Sequence, residues 1–281
     1  MMKLHFFNIA NFKADGGAMF GVIPKAMWSK AYPADENNLV VLTLRSLVVE
    51  TGSHVILVDT GWGDKQDEKY FRHSYIHNGE GLYDGLAKRG FSPEEVTDVF
   101  LTHLHADHCG GAFLKSSSGT GFEPAFPKAT IHVSSAQLGW AVTNNPREED
   151  SYPPDNIMPI ANYHRLNLID NDCELFEGFS VRICYGHTPG LMIPVIKDNG
   201  KTLVYTGDLI PTIAHIPPIW NMSYDIESLK TINEKNKILN EALENNYILV
   251  FQHDVNTECC NLQMTPKGIR AKDKFDFCTI T

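Results

Sequence analysis

Short apolar and β-branched runs, each closing on one ionisable residue, alternate with stretches of helical patterning, and together they predict an α/β fold. Strands are expected at Leu39–Val49, Val55–Asp59, Asp98–Thr102, Thr130–Val133, Ser180–Tyr185, Leu191–Ile196, Thr202–Thr206 and Tyr247–Phe251. The opening Met1-Met2-Lys3-Leu4-His5-Phe6-Phe7-Asn8-Ile9-Ala10 reads as a further strand, because its apolar stretch is too short and too interrupted for a secretory signal. Helices are expected at Gly81–Arg89, Ser134–Val142 and Ile226–Asn245, the last with Asp225 placed as its N-cap. Ser92-Pro93-Glu94-Glu95 carries the cap, proline and acidic first turn of a short helix start.

A length of 281 residues admits two domains or one large one. Candidate metal ligands run from residue 103 to residue 253, so a single domain over 1–281 is expected. Hydrophobic content of 43% and charged content of 21% suit a soluble globular chain, and no apolar run reaches the length of a membrane span. With 34 acidic against 24 basic residues, the net charge of −10 argues against nucleic acid, and no membrane partner is expected. Six cysteines without CxxC spacing read as reduced thiols of a cytoplasmic protein. The Pro-, Asn- and charge-rich stretch from Gly119 to Ile160 is too long for an idle connection. It is expected to form a pocket wall or a subunit contact, which admits a homodimer.

The chemistry concentrates in His103-Leu104-His105-Ala106-Asp107-His108, where three imidazoles and one carboxylate fall within six residues. The apolar run Val96–Leu101 leads into it. His103 and His105 are two apart, so an extended backbone turns both to one side, and Gly110-Gly111 free the chain to bring Asp107 and His108 in from a loop. Such a cluster divides into two ligand sets better than it serves one ion. Further ligands stand after later strands: His187 in Gly186-His187-Thr188-Pro189-Gly190, Asp208 in Thr206-Gly207-Asp208, and His253 after Tyr247–Phe251. Imidazoles and carboxylates suit zinc, and also iron, manganese or cobalt.

HxHxDH, then GHTPG, then TGD, then a late strand-end histidine, with Val55-Ile56-Leu57-Val58-Asp59-Thr60-Gly61 upstream, resembles the metallo-β-lactamase-fold hydrolases. The resemblance runs from about Leu39 to His253 and implies a four-layer αββα sandwich, two mixed sheets flanked by helices. Carried over by position, it implies one metal held by His103, His105 and His187 and another held by Asp107, His108 and His253. Asp208 and a hydroxide would bridge two divalent ions, most simply Zn(II), while Asp59 orders the ligand loop by hydrogen bonds. The bridging hydroxide would be the nucleophile, with Asp107 and Asp208 in the catalytic machinery. An acidic residue at 208 departs from the lactamases proper, where a cysteine commonly stands.

Two loops point to a branch. Asp15–Lys25, a glycine-rich turn with Met19 and Phe20, and Gly207–Pro217 resemble the pocket loops of N-acyl-homoserine lactonases and methyl-parathion-type organophosphorus hydrolases. The resemblance makes Met19, Phe20 and Ile213 the substrate pocket for an acyl chain or aromatic group. Lactonases of that branch carry a tyrosine three residues after the bridging Asp, where this chain has Pro211, so His215 or Tyr224 is the candidate to assist catalysis instead. The expected activity is opening of a lactone or cleavage of a related ester, of the quorum-quenching kind. A glyoxalase II-type thioesterase and a phosphotriesterase are the hydrolytic alternatives. A mononuclear iron sulfur dioxygenase is the alternative of another class, disfavoured by a full second set of ligands.

Overall fold

The computed structural model describes residues 2–143 and 145–280, so Met1 of the expected N-terminal strand lies outside them. Two mixed sheets carry the chain. The six-stranded one runs in the order Lys3–Asp15, Leu39–Glu50, Val55–Val58, Asp98–Phe100, Thr130–Ser134, Leu166–Ile169. Leu39–Glu50 pairs antiparallel with Val55–Val58, and the next three pairings are parallel. The seven-stranded one runs Gly268–Phe275, Cys259–Thr265, Ile248–Val250, Lys201–Tyr205, Leu191–Asp198, Phe179–Cys184, Cys173–Phe176. It is antiparallel throughout except where Lys201–Tyr205 meets Ile248–Val250.

Close contacts divide the chain into two compact units. The first comprises Met1–Ala10, Leu44–Arg72 and His77–Asn171, and its core gathers Phe7, Val48, Leu57, Leu86, Val99 and Ile131. Its central strands are short and apolar because parallel strands are covered on both faces; Ile56, Leu57 and Val58 are wholly inaccessible. The second comprises Asn11–Thr43, His73–Ile76 and Asp172–Thr281. Its core joins Leu191, Ile193, Leu249 and Phe251 to Leu239 and Ala242 of the helix Ser228–Glu244. The buried residues of that helix, Thr231, Lys235, Leu239 and Ala242, fall four, four and three apart, which is one helical face.

Every expected strand after the first is present within a residue or two of its anticipated ends, the first runs on to Asp15, and the three expected helices appear as Leu82–Lys88, Ser135–Thr143 and Ser228–Glu244. Four readings need correction. Ser92-Pro93-Glu94-Glu95 forms the capping contacts, with Ser92 N and Oγ both donating to Glu95 Oε2, but no helix forms there because the chain enters the strand at Asp98. Asp225 does not cap the last helix; Glu227 stands at that N-cap without a side-chain bond. Gly16–Phe20, read as part of a glycine-rich turn, is a short helix capped by Asp15. The stretch Gly119–Ile160 is no open connection: it holds the strands Phe122–Pro124 and Thr130–Ser134 and the helices Ser135–Thr143 and Pro154–Ala161.

In the second unit, three strands that run the same way each deliver a polar residue just past their C-terminal ends. Phe179–Cys184 and Lys201–Tyr205 both run antiparallel to Leu191–Asp198, and Ile248–Val250 runs parallel to Lys201–Tyr205. Each strand reaches its ionisable residue at the same interval: 184 to 187, 205 to 208, 250 to 253. The first unit repeats the interval from Phe100 to His103. The loop to His187 lies tight on the helix Ser228–Glu244, where a Cβ at Gly186 would collide with the backbone nitrogen of Thr231. Gly186→Ala is therefore expected to lower stability by about 1–3 kcal/mol, measured by denaturant unfolding; an unchanged midpoint would show that this approach is not tight.

Candidate metal centre

In the first unit, the chain leaves Asp98–Phe100 through Thr102 and His103, and a one-turn helix, Ala106–Cys109, presents Asp107 and His108. This turn replaces the open loop expected there. Asp59 organises it. Its backbone holds a left-handed φ of 57°, rare for a residue with a side chain, and it is wholly buried. Its Oδ1 accepts the Thr102 backbone N–H at 2.8 Å, and its Oδ2 accepts the Thr102 hydroxyl at 2.8 Å and His108 Nδ1 at 2.9 Å. Gly110 passes against the Trp62 carbonyl so closely that any Cβ would clash.

Each imidazole at the centre has one nitrogen committed to an acceptor, and this decides where its proton sits. His108 Nδ1 donates to the Asp59 carboxylate. His187 Nδ1 donates to Asp225 Oδ1 at 2.9 Å, and His253 Nδ1 to the Thr43 carbonyl at 2.6 Å. The Thr102 hydroxyl gives its hydrogen to Asp59, so its oxygen accepts from His103 Nδ1 at 3.0 Å. His105 is turned the other way, with Nε2 donating to Glu148 Oε1 at 3.0 Å. What remains on each ring is a lone pair.

Those lone pairs converge on one another. His103 Nε2 is 3.0 Å from His105 Nδ1, His253 Nε2 is 2.8 Å from Asp208 Oδ1, and His187 Nε2 is 3.3 Å from Asp208 Oδ2. His108 Nε2 is 3.4 Å from Asp107 Oδ2. Acceptors facing acceptors at such distances repel unless a cation lies among them, so the donor set fits divalent metal. Within the first unit the candidate ligands His103, His105, Asp107 and His108 stand together, and within the second His187 and His253 both face Asp208.

Two residues around the imidazoles carry roles that their sequence context conceals. Asp225 has the position of a helix cap, and Glu148 lies in the stretch expected to form a pocket wall or subunit contact, with nothing there to single it out. The expected pocket and auxiliary residues also fall differently. Phe20 is 1% exposed, its ring stacked on Trp28 at 5.0 Å and on His215 at 4.7 Å, and Met19 is buried beside it. His215 bonds Thr212 Oγ1 through Nδ1 and the Met19 carbonyl through Nε2, both at 2.7 Å. With both nitrogens occupied and both faces of Phe20 covered, these side chains pin two loops together, which corrects the readings of His215 as catalytic and Phe20 as pocket lining. Ile213 is partly buried and Tyr224 is exposed.

A family model described as the Metallo-beta-lactamase superfamily matches residues 45–253. An N-acyl homoserine lactonase from Bacillus cereus is 28% identical over 187 residues, 59% of this chain and 63% of the relative, so the chain spans under two thirds of its length. A structure described as a probable metal-dependent hydrolase from Staphylococcus aureus superposes with a TM-score of 0.87 at 28% identity, covering 98% of each chain. AidC, a dizinc quorum-quenching lactonase, superposes with a TM-score of 0.79 at 21% identity, covering 98% of this chain and 95% of that one.

Asp225→Asn keeps the size of its side chain but removes the charge that orients His187. Metal affinity should fall roughly ten- to a hundred-fold, read by competition with a chromogenic chelator; unchanged affinity would deny Asp225 that part. Burial, with the Lys235 charge, pushes His215 down to about 3 from its ordinary 6.5, against the bond to Met19. Protonation therefore favours the unfolded chain, so this residue's contribution is complete above pH 6.5 and is lost as pH falls towards 3. A His215→Gln protein should be less stable at pH 7 and lose less on acidification than wild type. Equal pH slopes in the two unfolding series would contradict a buried neutral imidazole.

Proposed function

This chain belongs to the metallo-beta-lactamase superfamily, and from that premise we propose that it is a metal-dependent hydrolase, a dinuclear enzyme opening lactones or cleaving related esters. The observation that carries the dinuclear reading is Asp208. Its two carboxylate oxygens face different imidazoles, Oδ1 towards His253 and Oδ2 towards His187, which is how one carboxylate serves two ions. His103, His105 and His187 would hold one ion and Asp107, His108 and His253 the other. Two divalent ions bound there supply Lewis acidity to a carbonyl oxygen and bring the pKa of water towards neutrality.

The chain's own residues do the rest. Asp59, Asp225, Glu148 and the Thr43 carbonyl hold the imidazoles in one tautomer each, so no reorganisation is needed when substrate arrives. Pro211 has no hydroxyl to offer, and its carbonyl accepts the His253 backbone N–H at 3.2 Å. Thr212 Oγ1 is bound to His215. Asp107, whose side chain is 17% exposed against 11% for Asp208, would take the proton released by the attacking water and pass it to the leaving alkoxide, with Tyr224 the other group left to assist. Lactone opening is preferred to thioester or phosphotriester cleavage on the likeness to the Bacillus cereus lactonase. All six cysteines are free thiols, which suits the expected cytoplasmic setting, and no helix among the described residues is long and apolar enough to cross a membrane.

Zinc-loaded protein should hydrolyse N-acyl-homoserine lactones faster than aryl phosphotriesters or glutathione thioesters. Asp208→Asn should lose one ion and at least about a hundredfold in turnover, an effect of the size seen when one electrostatic stabiliser is removed. Phosphotriester turnover exceeding lactone turnover would overturn the substrate reading, and two ions retained by Asp208→Asn would overturn the dinuclear one.

A further inference from the structure

Among the five imidazoles of the centre, His105 is the odd one. His103, His108, His187 and His253 commit Nδ1, whereas His105 commits Nε2 and leaves Nδ1 facing His103. Its partner is Glu148, 43 residues along the chain and 4% exposed.

Glu148 is held by more than His105. Oε2 accepts Trp140 Nε1 at 2.7 Å and Asn145 Nδ2 at 3.0 Å, and Oε1 accepts the Tyr152 hydroxyl at 3.3 Å as well as His105. Gln137 Nε2 donates to the Tyr152 oxygen at 3.0 Å, and the Tyr152 ring lies 5.0 Å from the His105 ring. Four donors thus converge on one buried carboxylate, three of them drawn from the helix Ser135–Thr143 and the segment leading to Pro154–Ala161. A lone buried carboxylate is costly, and this one persists because its donors replace water.

We propose that Glu148 is the positioning residue for His105: its carboxylate fixes the ring with Nδ1 towards the metal, so that the segment 145–152 sets the affinity of one of the two metal positions. The inference rests on His105 being a metal ligand. A carboxylate behind an imidazole fixes its tautomer and raises its basicity, and removing such a partner weakens metal binding roughly ten- to a hundred-fold. The effect belongs to one ion, because the imidazoles of the other position are held by Asp59 and by the Thr43 carbonyl.

The test is a zinc titration of metal-stripped protein against a chromogenic chelator, for wild type, Glu148→Gln, His105→Ala and the double variant, with cobalt(II) absorption recorded in parallel. Trp140→Phe, which keeps an aromatic ring and removes one donor, serves if Glu148→Gln folds poorly. The expected result is one zinc weakened ten- to a hundred-fold in Glu148→Gln with the other unchanged, an altered cobalt spectrum, and no further loss when Glu148→Gln is added to His105→Ala. Trp140→Phe should shift the same ion by a smaller factor. Two zinc affinities as in wild type, or both reduced in proportion to the stability of the metal-free protein, would overturn the proposal for Glu148. Unaltered zinc binding by His105→Ala would instead remove the ligand reading on which it rests.

Discussion

The structure depends on where five protons sit. A neutral imidazole has one N–H and one lone pair, and a metal can use only the lone pair. Here a fixed acceptor takes the N–H of every candidate imidazole ligand: two carboxylates for His108 and His187, a threonine oxygen for His103, a backbone carbonyl for His253, and Glu148 for His105. Without those acceptors each ring could flip or change tautomer, and the close approaches between acceptor atoms would relax by rotation. With them, the lone pairs have nowhere else to point. Asp59 adds a second constraint, since the carboxylate that orients His108 also holds the Thr102 backbone and hydroxyl.

A buried cation steadies the main chain near each set of ligands. In the first unit the Lys65 ammonium donates to the carbonyls of Gly110 and Phe113, just past His108. In the second, Lys235 donates to the carbonyls of Trp220 at 2.9 Å and Pro217 at 3.4 Å, on the stretch just after His215. Burial pulls both ammonium groups down, Lys235 to about 7, and each offsets part of that desolvation cost by donating to main-chain carbonyls.

The candidate ligands were legible because each follows a short apolar run, and such runs announce buried strands whose ends fall at predictable places. Period and composition also mark the limits of the central strands and of three helices, but not Leu166–Ile169, Cys173–Phe176, the helix Pro154–Ala161 or the last hairpin. Cys259–Thr265 and Gly268–Phe275 leave little alternation to read, because burial in that pair is confined largely to the first residues of each strand. Most of the groups that orient the imidazoles were not legible. The Thr43 carbonyl is backbone and has no signature. Asp225 sits just ahead of a helix, where an aspartate reads as a cap, and its contact with His187 arises only from the tight turn over Gly186. Glu148 stands among Asn145, Pro146 and Arg147, and nothing in that stretch points to His105, 43 residues away, until Trp140, Asn145 and Tyr152 close around the same carboxylate.

The most direct test of this account is nitrogen NMR of the histidine rings in metal-free protein at neutral pH, through two-bond ¹⁵N–¹H correlations. The arrangement predicts slow, single tautomers: the Nδ1–H form for His103, His108, His187 and His253, and the Nε2–H form for His105 alone. Averaged tautomers, or Nδ1–H for His105, would contradict a centre whose lone pairs are set in place before metal binds.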